Sequence, residues 1–268
     1  MKKGFFLLAI KVFAISTCLL AQDFEVAPIR LNFRGEPGDT ETRIITVKNH
    51  GNTKENITMT MRDYVVHRHG SREILPSGST RNSIANWVTL NPSFLELQPN
   101  ESKEVQVTFQ APVEDDVTSK WGILSFASAI ERTPYSADRD VQTGIFISGR
   151  IDAYLFYNPV TERDPNIVIS NLREVTAADD KVRKFAVNID NLSNITTGSE
   201  LYLIASNLRT MEETKFQTHR VRLYPQSSRT IELPLPDELE KGKYSLAAII
   251  DYGSRTNLKG TQITIEVE

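Results

Sequence analysis

The chain has 268 residues, 40% of them apolar and 24% charged, so it can bury sizeable cores and is long enough for more than one domain. That apolar share excludes a chain disordered throughout. A formal net charge of −3, from 31 basic and 34 acidic residues, gives no reason to expect nucleic acid as a partner.

The N-terminus reads as an export address. Lys2 and Lys3 precede an apolar stretch from Phe5 to Leu20, interrupted only by Lys11, with Ala21 before Gln22. This is the pattern of a secretory signal peptide, residues 1–21, cut after Ala21. A membrane anchor is the competing reading, but Lys11 leaves too short an apolar run to span a bilayer. Cys18, the one cysteine, lies in "ISTC", where a lipoprotein-type acylation site is the alternative; Thr17 before it and Leu19 and Leu20 after it fit such a site poorly. Cleavage after Ala21 leaves no cysteine and hence no disulfide. It also removes three lysines and no acid, which takes the net charge to −6. An acidic, cysteine-free exported chain fits a periplasm or cell surface.

From here short runs rich in Val, Ile, Thr, Phe and Tyr alternate with polar residues and are separated by turn clusters. "FEVAPIRLNF" is followed by the turn "RGEPGD", then "TRIITVKN", the turn "HGNTKEN" and "ITMTMRDYVVH". "NWVTLNPSFLELQPNESKEVQVTFQAP" gives a strand, a turn at "QPNE" and a strand whose Val105, Val107 and Phe109 share one face. "WGILSFASAI" and "TGIFISGRIDAYLFY" complete roughly seven strands by Tyr157, the size of an immunoglobulin-like sandwich. "NPVTERDPN" breaks the pattern, and a second β-rich block runs to the C-terminus. The two blocks share a grammar, "ITVKNHGN" with "VNIDNLSN" and "LELQPNESKEVQVTFQAP" with "VRLYPQSSRTIELPLP". The expected architecture is therefore all-β: two tandem immunoglobulin-like β-sandwich domains, residues 22–159 and 160–268, after a cleaved signal peptide.

Catalytic signals are missing from the sequence. His67 and His69 would face one side of a strand, but no third ligand stands at zinc-site spacing, and no metal or other cofactor is expected. Asp115, Asp116, Asp179 and Asp180 read as loop acids, and no nucleophile-elbow, zinc-protease, Walker or dinucleotide motif occurs. An enzyme is the minority reading, and binding remains. The segment "QTGIFISGRIDAYLFYNP" then becomes informative, because a strand with Ile145 and Ile147 on one face can lend its backbone to another chain's sheet. Burial of both its faces within this chain's own sandwich is the competing reading.

The sequence resembles the PapD-like periplasmic chaperones of pilus subunits, over nearly the whole chain after residue 21. "IDAYLFYNP" is similar to the family's last strand of the first domain, an apolar run closing on proline after alternating donor residues. Ile145 and Ile147 fall at donor positions, and the third falls on Gly149. "PIRLNFRG" places Arg30 where the family has an arginine that, with a lysine near the end of the last strand, binds the subunit's terminal carboxylate. The lysine's position holds Tyr154; Arg150, four residues earlier with the same strand parity, is the candidate substitute, about 13 Å away along the strand. "LELQPNESKEVQV" is similar to the family's Leu-x-Pro-Gly turn, with Asn100 in place of glycine.

The resemblance implies a periplasmic chaperone without catalytic activity, binding secreted or surface (fimbrial-type) subunits with an incomplete β-sheet, and an outer-membrane assembly protein as a further partner. Arg30, Ile145, Ile147, Arg150 and Tyr154 are the expected partner-binding residues. The alternative is a non-catalytic structural or adhesive immunoglobulin-like module of a surface or secretion assembly.

Overall fold

In the computed structural model of the chain the described residues are 24–113, 118–129, 149–160, 165–236, 239–253 and 258–268. Among these described residues the first block has ten strands: β1 (Phe24–Ala27), β2 (Arg30–Gly35), β3 (Thr40–Asn49), β4 (Glu55–Val66), β5 (Arg72–Pro76), β6 (Val88–Asn91), β7 (Phe94–Leu97), β8 (Ser102–Gln110), β9 (Lys120–Ser128) and β10 (Arg150–Pro159). The second forms eight: β11 (Ile167–Glu174), β12 (Arg183–Asn191), β13 (Thr197–Asn207), β14 (Glu213–Lys215), β15 (His219–Leu223), β16 (Ser227–Leu235), β17 (Gly242–Asp251) and β18 (Lys259–Val267). One turn of 3-10 helix, Ala85–Trp87, precedes β6, and no α-helix occurs among the described residues.

Each block folds as a sandwich. In the first, a sheet ordered β1-β3-β8-β6 packs on one ordered β2-β10-β9-β4-β5, with β7 also paired to β4. In the second, β11-β12-β16 packs on β14-β13-β17-β18, with β15 on β13. The period-two pattern explains the cores. Val105, Val107 and Phe109 all point into the first core, where Phe109 stacks between Phe33 and Tyr157 at centroid distances of 5.1 and 4.8 Å. Phe185, Leu201, Leu203 and Leu246 hold corresponding inward positions in the second.

Two segments differ from the sequence expectation. "FEVAPIRLNF" is two strands in different sheets, because Pro28 has no N–H to continue a ladder and the chain crosses from the β3 edge to the β10 edge there. "REILP", not expected as a strand, pairs with β4 as β5.

The shared grammar of the two blocks has a physical basis in a pair of buried asparagines. Asn49 ends β3, and its side-chain amide donates to the carbonyls of Thr53 (2.8 Å) and Leu97 (3.2 Å), while its oxygen accepts from the Gly51 N–H (2.8 Å). Asn191 ends β12 and repeats the arrangement: it donates to Ile195 (2.9 Å) and Leu223 (3.3 Å) and accepts from the Ser193 N–H (3.1 Å). Both are fully buried. In both blocks the clamped carbonyl, Leu97 or Leu223, precedes a proline turn with a left-handed residue, Asn100 at φ 63° or Gln226 at φ 50°. The next strand, β8 or β16, then pairs back onto the strand that carries the asparagine. Each amide thus fixes a loop, a turn and a strand end together.

Because truncation orphans several buried backbone groups, Asn49→Ala and Asn191→Ala should each lower unfolding free energy by about 2–4 kcal/mol. Chemical denaturation monitored by circular dichroism checks this, and an unchanged midpoint would show that the amides do not hold the turns.

Candidate functional site

Register assembles the site. β10 pairs with β2 in parallel, placing Tyr154 opposite Arg30 and Phe156 opposite Asn32. Ala153, Leu155 and Tyr157 alternate into the first core, so Tyr154, Phe156 and Asn158 face away from it. On that outer face Tyr64 of β4, Trp121 and Ile123 of β9 and Phe156 form a small aromatic core, closed by Tyr224 from the second block. The Tyr64 and Tyr224 hydroxyls share a hydrogen bond of 2.8 Å, and Trp121 Nε1 donates to the Tyr64 carbonyl at 2.9 Å. Burial, with the neighbouring Tyr224 hydroxyl, pushes the Tyr64 phenol far above its ordinary range, so it stays protonated.

Polar contacts lock the two blocks beside this cluster. Asn158 Nδ2 donates to the Thr196 carbonyl (3.0 Å), the Thr196 N–H donates to Ser119 Oγ (2.8 Å), and the Ser119 N–H donates to the Asn194 carbonyl (2.8 Å). At the other side Arg68 and Thr230 are joined through backbone and side chain, at 2.9 and 3.1 Å.

The junction leaves a cleft of about 440 Å³ whose lining includes Arg30, Arg72, Arg220, Arg222 and Arg229 and no carboxylate. The guanidinium groups lie on aromatic faces. Arg222 sits 3.9 Å and Arg30 5.7 Å from the Phe156 ring centroid. Arg72 lies 5.2 Å from the Tyr154 centroid and donates to its hydroxyl at 2.9 Å. Arg220 leans outward to Glu200, 3.6 Å away. None of the ion pairs found among the described residues involves Arg30, Arg72 or Arg222. Burial lowers the Arg222 pKa below its ordinary value, and the Arg30 and Arg72 charges lower it further. Arg30 and Arg222 share one aromatic ring and repel each other, so the cleft carries a positive field that favours an anion.

The expected site residues separate accordingly. Arg30 and Tyr154 are adjacent and line the cleft. Arg150 shares their strand face as parity predicts, but it lies outside the lining and its guanidinium pairs with Asp152 at 3.3 Å. Arg72 stands beside Tyr154 instead. Ile145 and Ile147 lie outside the described residues, as do the expected signal peptide, Cys18, Asp115 and Asp116. At Gly149, the third donor position, an added Cβ would touch the Phe24 ring of β1 at 3.4 Å. His67 bonds Glu73 at 3.0 Å, and among the described residues no three His, Cys, Asp or Glu side chains could hold a metal ion.

Arg72, Arg222 and Phe156 went unnoticed as site residues in the sequence, whereas Tyr154, on which Arg72 lies, was expected there. The alternation in "HRVRLYP", which puts Arg220 and Arg222 on one strand face, was an available signal. Nothing local relates it to β10.

No family model and no curated protein matches the chain. Solved structures do match it along nearly their full length. The class 5 fimbriae chaperone CfaA is 14% identical with a TM-score of 0.49, covering 91% of this chain and 99% of its own. A chain of the CsuC–CsuE chaperone–tip adhesion subunit pre-assembly complex of Acinetobacter baumannii Csu pili is 10% identical, with a TM-score of 0.47 and coverages of 91% and 97%. A chain of the Salmonella enterica SafA pilin–SafB chaperone complex is 11% identical, with a TM-score of 0.42 and the same coverages.

The Tyr64–Tyr224 bond should couple the two blocks. In a double-mutant cycle of Tyr64→Phe and Tyr224→Phe, each single change should cost about 1–2 kcal/mol and the double change less than their sum, because neither hydroxyl is then left unpaired. Additive costs in denaturation experiments would mean that the bond does not link them.

Proposed function

We propose that the chain is a periplasmic chaperone that binds and stabilises secreted or surface, fimbrial-type subunits by donating an edge strand. The observation that carries this reading is the half-open state of β10. Tyr154–Tyr157 have β2 on one side and β9 on the other, whereas Arg150–Ala153 pair with β9 alone among the described residues. The Tyr154 N–H reaches the Ile29 carbonyl on the β2 side, so by strand alternation the Asp152 backbone groups face the open side. An edge unpaired among the described residues, ending at a cleft where Arg30, Arg72 and Arg222 make no ion pair with them, suits an extended peptide with a negatively charged end.

In this mechanism the subunit's strand adds to β10 through backbone hydrogen bonds. Ile145 and Ile147 supply apolar side chains to the subunit's incomplete core, and Arg30 anchors its terminal carboxylate. Arg72 and Arg222 add charge at the cleft, and Tyr154 orients Arg72 through its hydroxyl. The reaction is binding and release, with no bond made or broken. An outer-membrane assembly protein would receive the subunit.

Pull-down of the native exported protein, with bound proteins identified by mass spectrometry, tests the reading. Wild type should capture a surface or fimbrial subunit. Arg30→Ala, Asp152→Pro, which removes the open-side N–H, and Ile145→Asp/Ile147→Asp should each lose it while keeping the wild-type melting curve. Partners that survive all three changes, or recovery of a fixed membrane assembly alone, would replace this reading with that of a structural module.

A further inference from the structure

The cleft holds more positive charge than a single carboxylate needs, and that charge falls in two places. One is the Phe156 ring, flanked by Arg222 at 3.9 Å and Arg30 at 5.7 Å. The other is Tyr154, whose ring lies 5.2 Å from Arg72 and whose hydroxyl accepts from that side chain. Tyr154 and Phe156, the residues that carry the two positions, are two residues apart on one face of β10, about 7 Å along the strand. That is the step between same-side residues of an extended chain. A single carboxylate in the first position would leave Arg72 unopposed, since no acid lines this cleft.

We infer that the cleft selects a chain end bearing two negative charges: a terminal carboxylate held by Arg30 and Arg222, and an acidic side chain, one or two residues earlier, held by Arg72. The inference rests on the chaperone reading for the identity of the occupant and for its direction along β10. A peptide added to the Arg150–Ala153 edge ends where β2 takes over that edge at Tyr154, which sets its last residues in the cleft between Arg72 and the Arg30–Arg222 pair. Arg72 is thus a specificity-determining residue. Its exposed, stacked guanidinium has donors left over after the Tyr154 bond and can meet a carboxylate in a fork.

Fluorescence anisotropy of four labelled twelve-residue peptides with the full-length protein tests this. The peptides share one apolar-alternating sequence and carry Glu or Gln at the penultimate position, each with a free or an amidated C-terminus. The free-acid Glu peptide should bind about tenfold tighter than the free-acid Gln peptide. Amidation should cost at least as much, and the Glu advantage should shrink as salt is raised. Arg72→Gln should abolish the Glu advantage, weakening the Glu peptides more than the Gln peptides, and Arg30→Gln should remove the sensitivity to amidation.

Equal binding of Glu and Gln peptides, or equal weakening of both by Arg72→Gln, would overturn the two-charge inference while leaving carboxylate anchoring intact. Insensitivity to amidation would remove the anchoring itself. No saturable binding of any of the four overturns the inference, whereas Arg30-dependent capture of a subunit in pull-downs would still leave the chaperone reading standing.

Discussion

The aromatic junction between the two sandwiches is the contact on which the cleft depends. Tyr64, Trp121, Ile123 and Phe156 cover the outer face of one sheet, and Tyr224 closes over them from the second block. Each such side chain withdrawn from water stabilises the junction by about 1.5–3 kcal/mol. The Tyr64–Tyr224 hydrogen bond adds direction, because either hydroxyl buried alone would carry a desolvation penalty. Apolar burial supplies the attraction, and the hydroxyl pair, with the Asn158–Thr196–Ser119 contacts, fixes the orientation.

That orientation decides the electrostatics. Arg222 belongs to β15 and Arg30 to β2, and only docking of the two blocks sets both on Phe156. Cations gathered without carboxylates need another source of compensation. Aromatic faces provide part of it, worth about 0.5–1 kcal/mol per contact at exposed sites and more when desolvated. The remaining charge gives the cleft a positive field. Arg150 differs in having an acidic partner, Asp152, on its own strand.

Both sandwiches are closed by the same device, a buried asparagine that clamps a proline turn. Asn49 and Asn191 bond the carbonyl four residues ahead, the N–H two residues ahead and the leucine carbonyl before the turn. An amide suits this place because it both donates and accepts; aspartate or leucine could do only one of these or neither. In the first block the clamp also ties the two sheets, since Asn49 ends β3 and Leu97 belongs to β7, which pairs with β4.

The sequence by itself determined the strand-rich class, the inward faces and the repetition of the two blocks, since these are written in neighbouring residues. Val105, Val107 and Phe109 alternate because a strand's side chains do, and the Asn49 and Asn191 motifs each close within a few residues and one turn. Arg30 and Tyr154 were legible through resemblance, and their adjacency follows from one ladder. Only the tertiary structure decided that Pro28 divides the first segment between two sheets, that Arg150 turns to Asp152, and that Arg72 and Arg222 complete the cleft. The physical reason is range: strand periodicity is local, whereas the cleft is made by packing side chains from β2, β5, β10 and β15, which are distant in sequence and brought together by the docking of two separate cores.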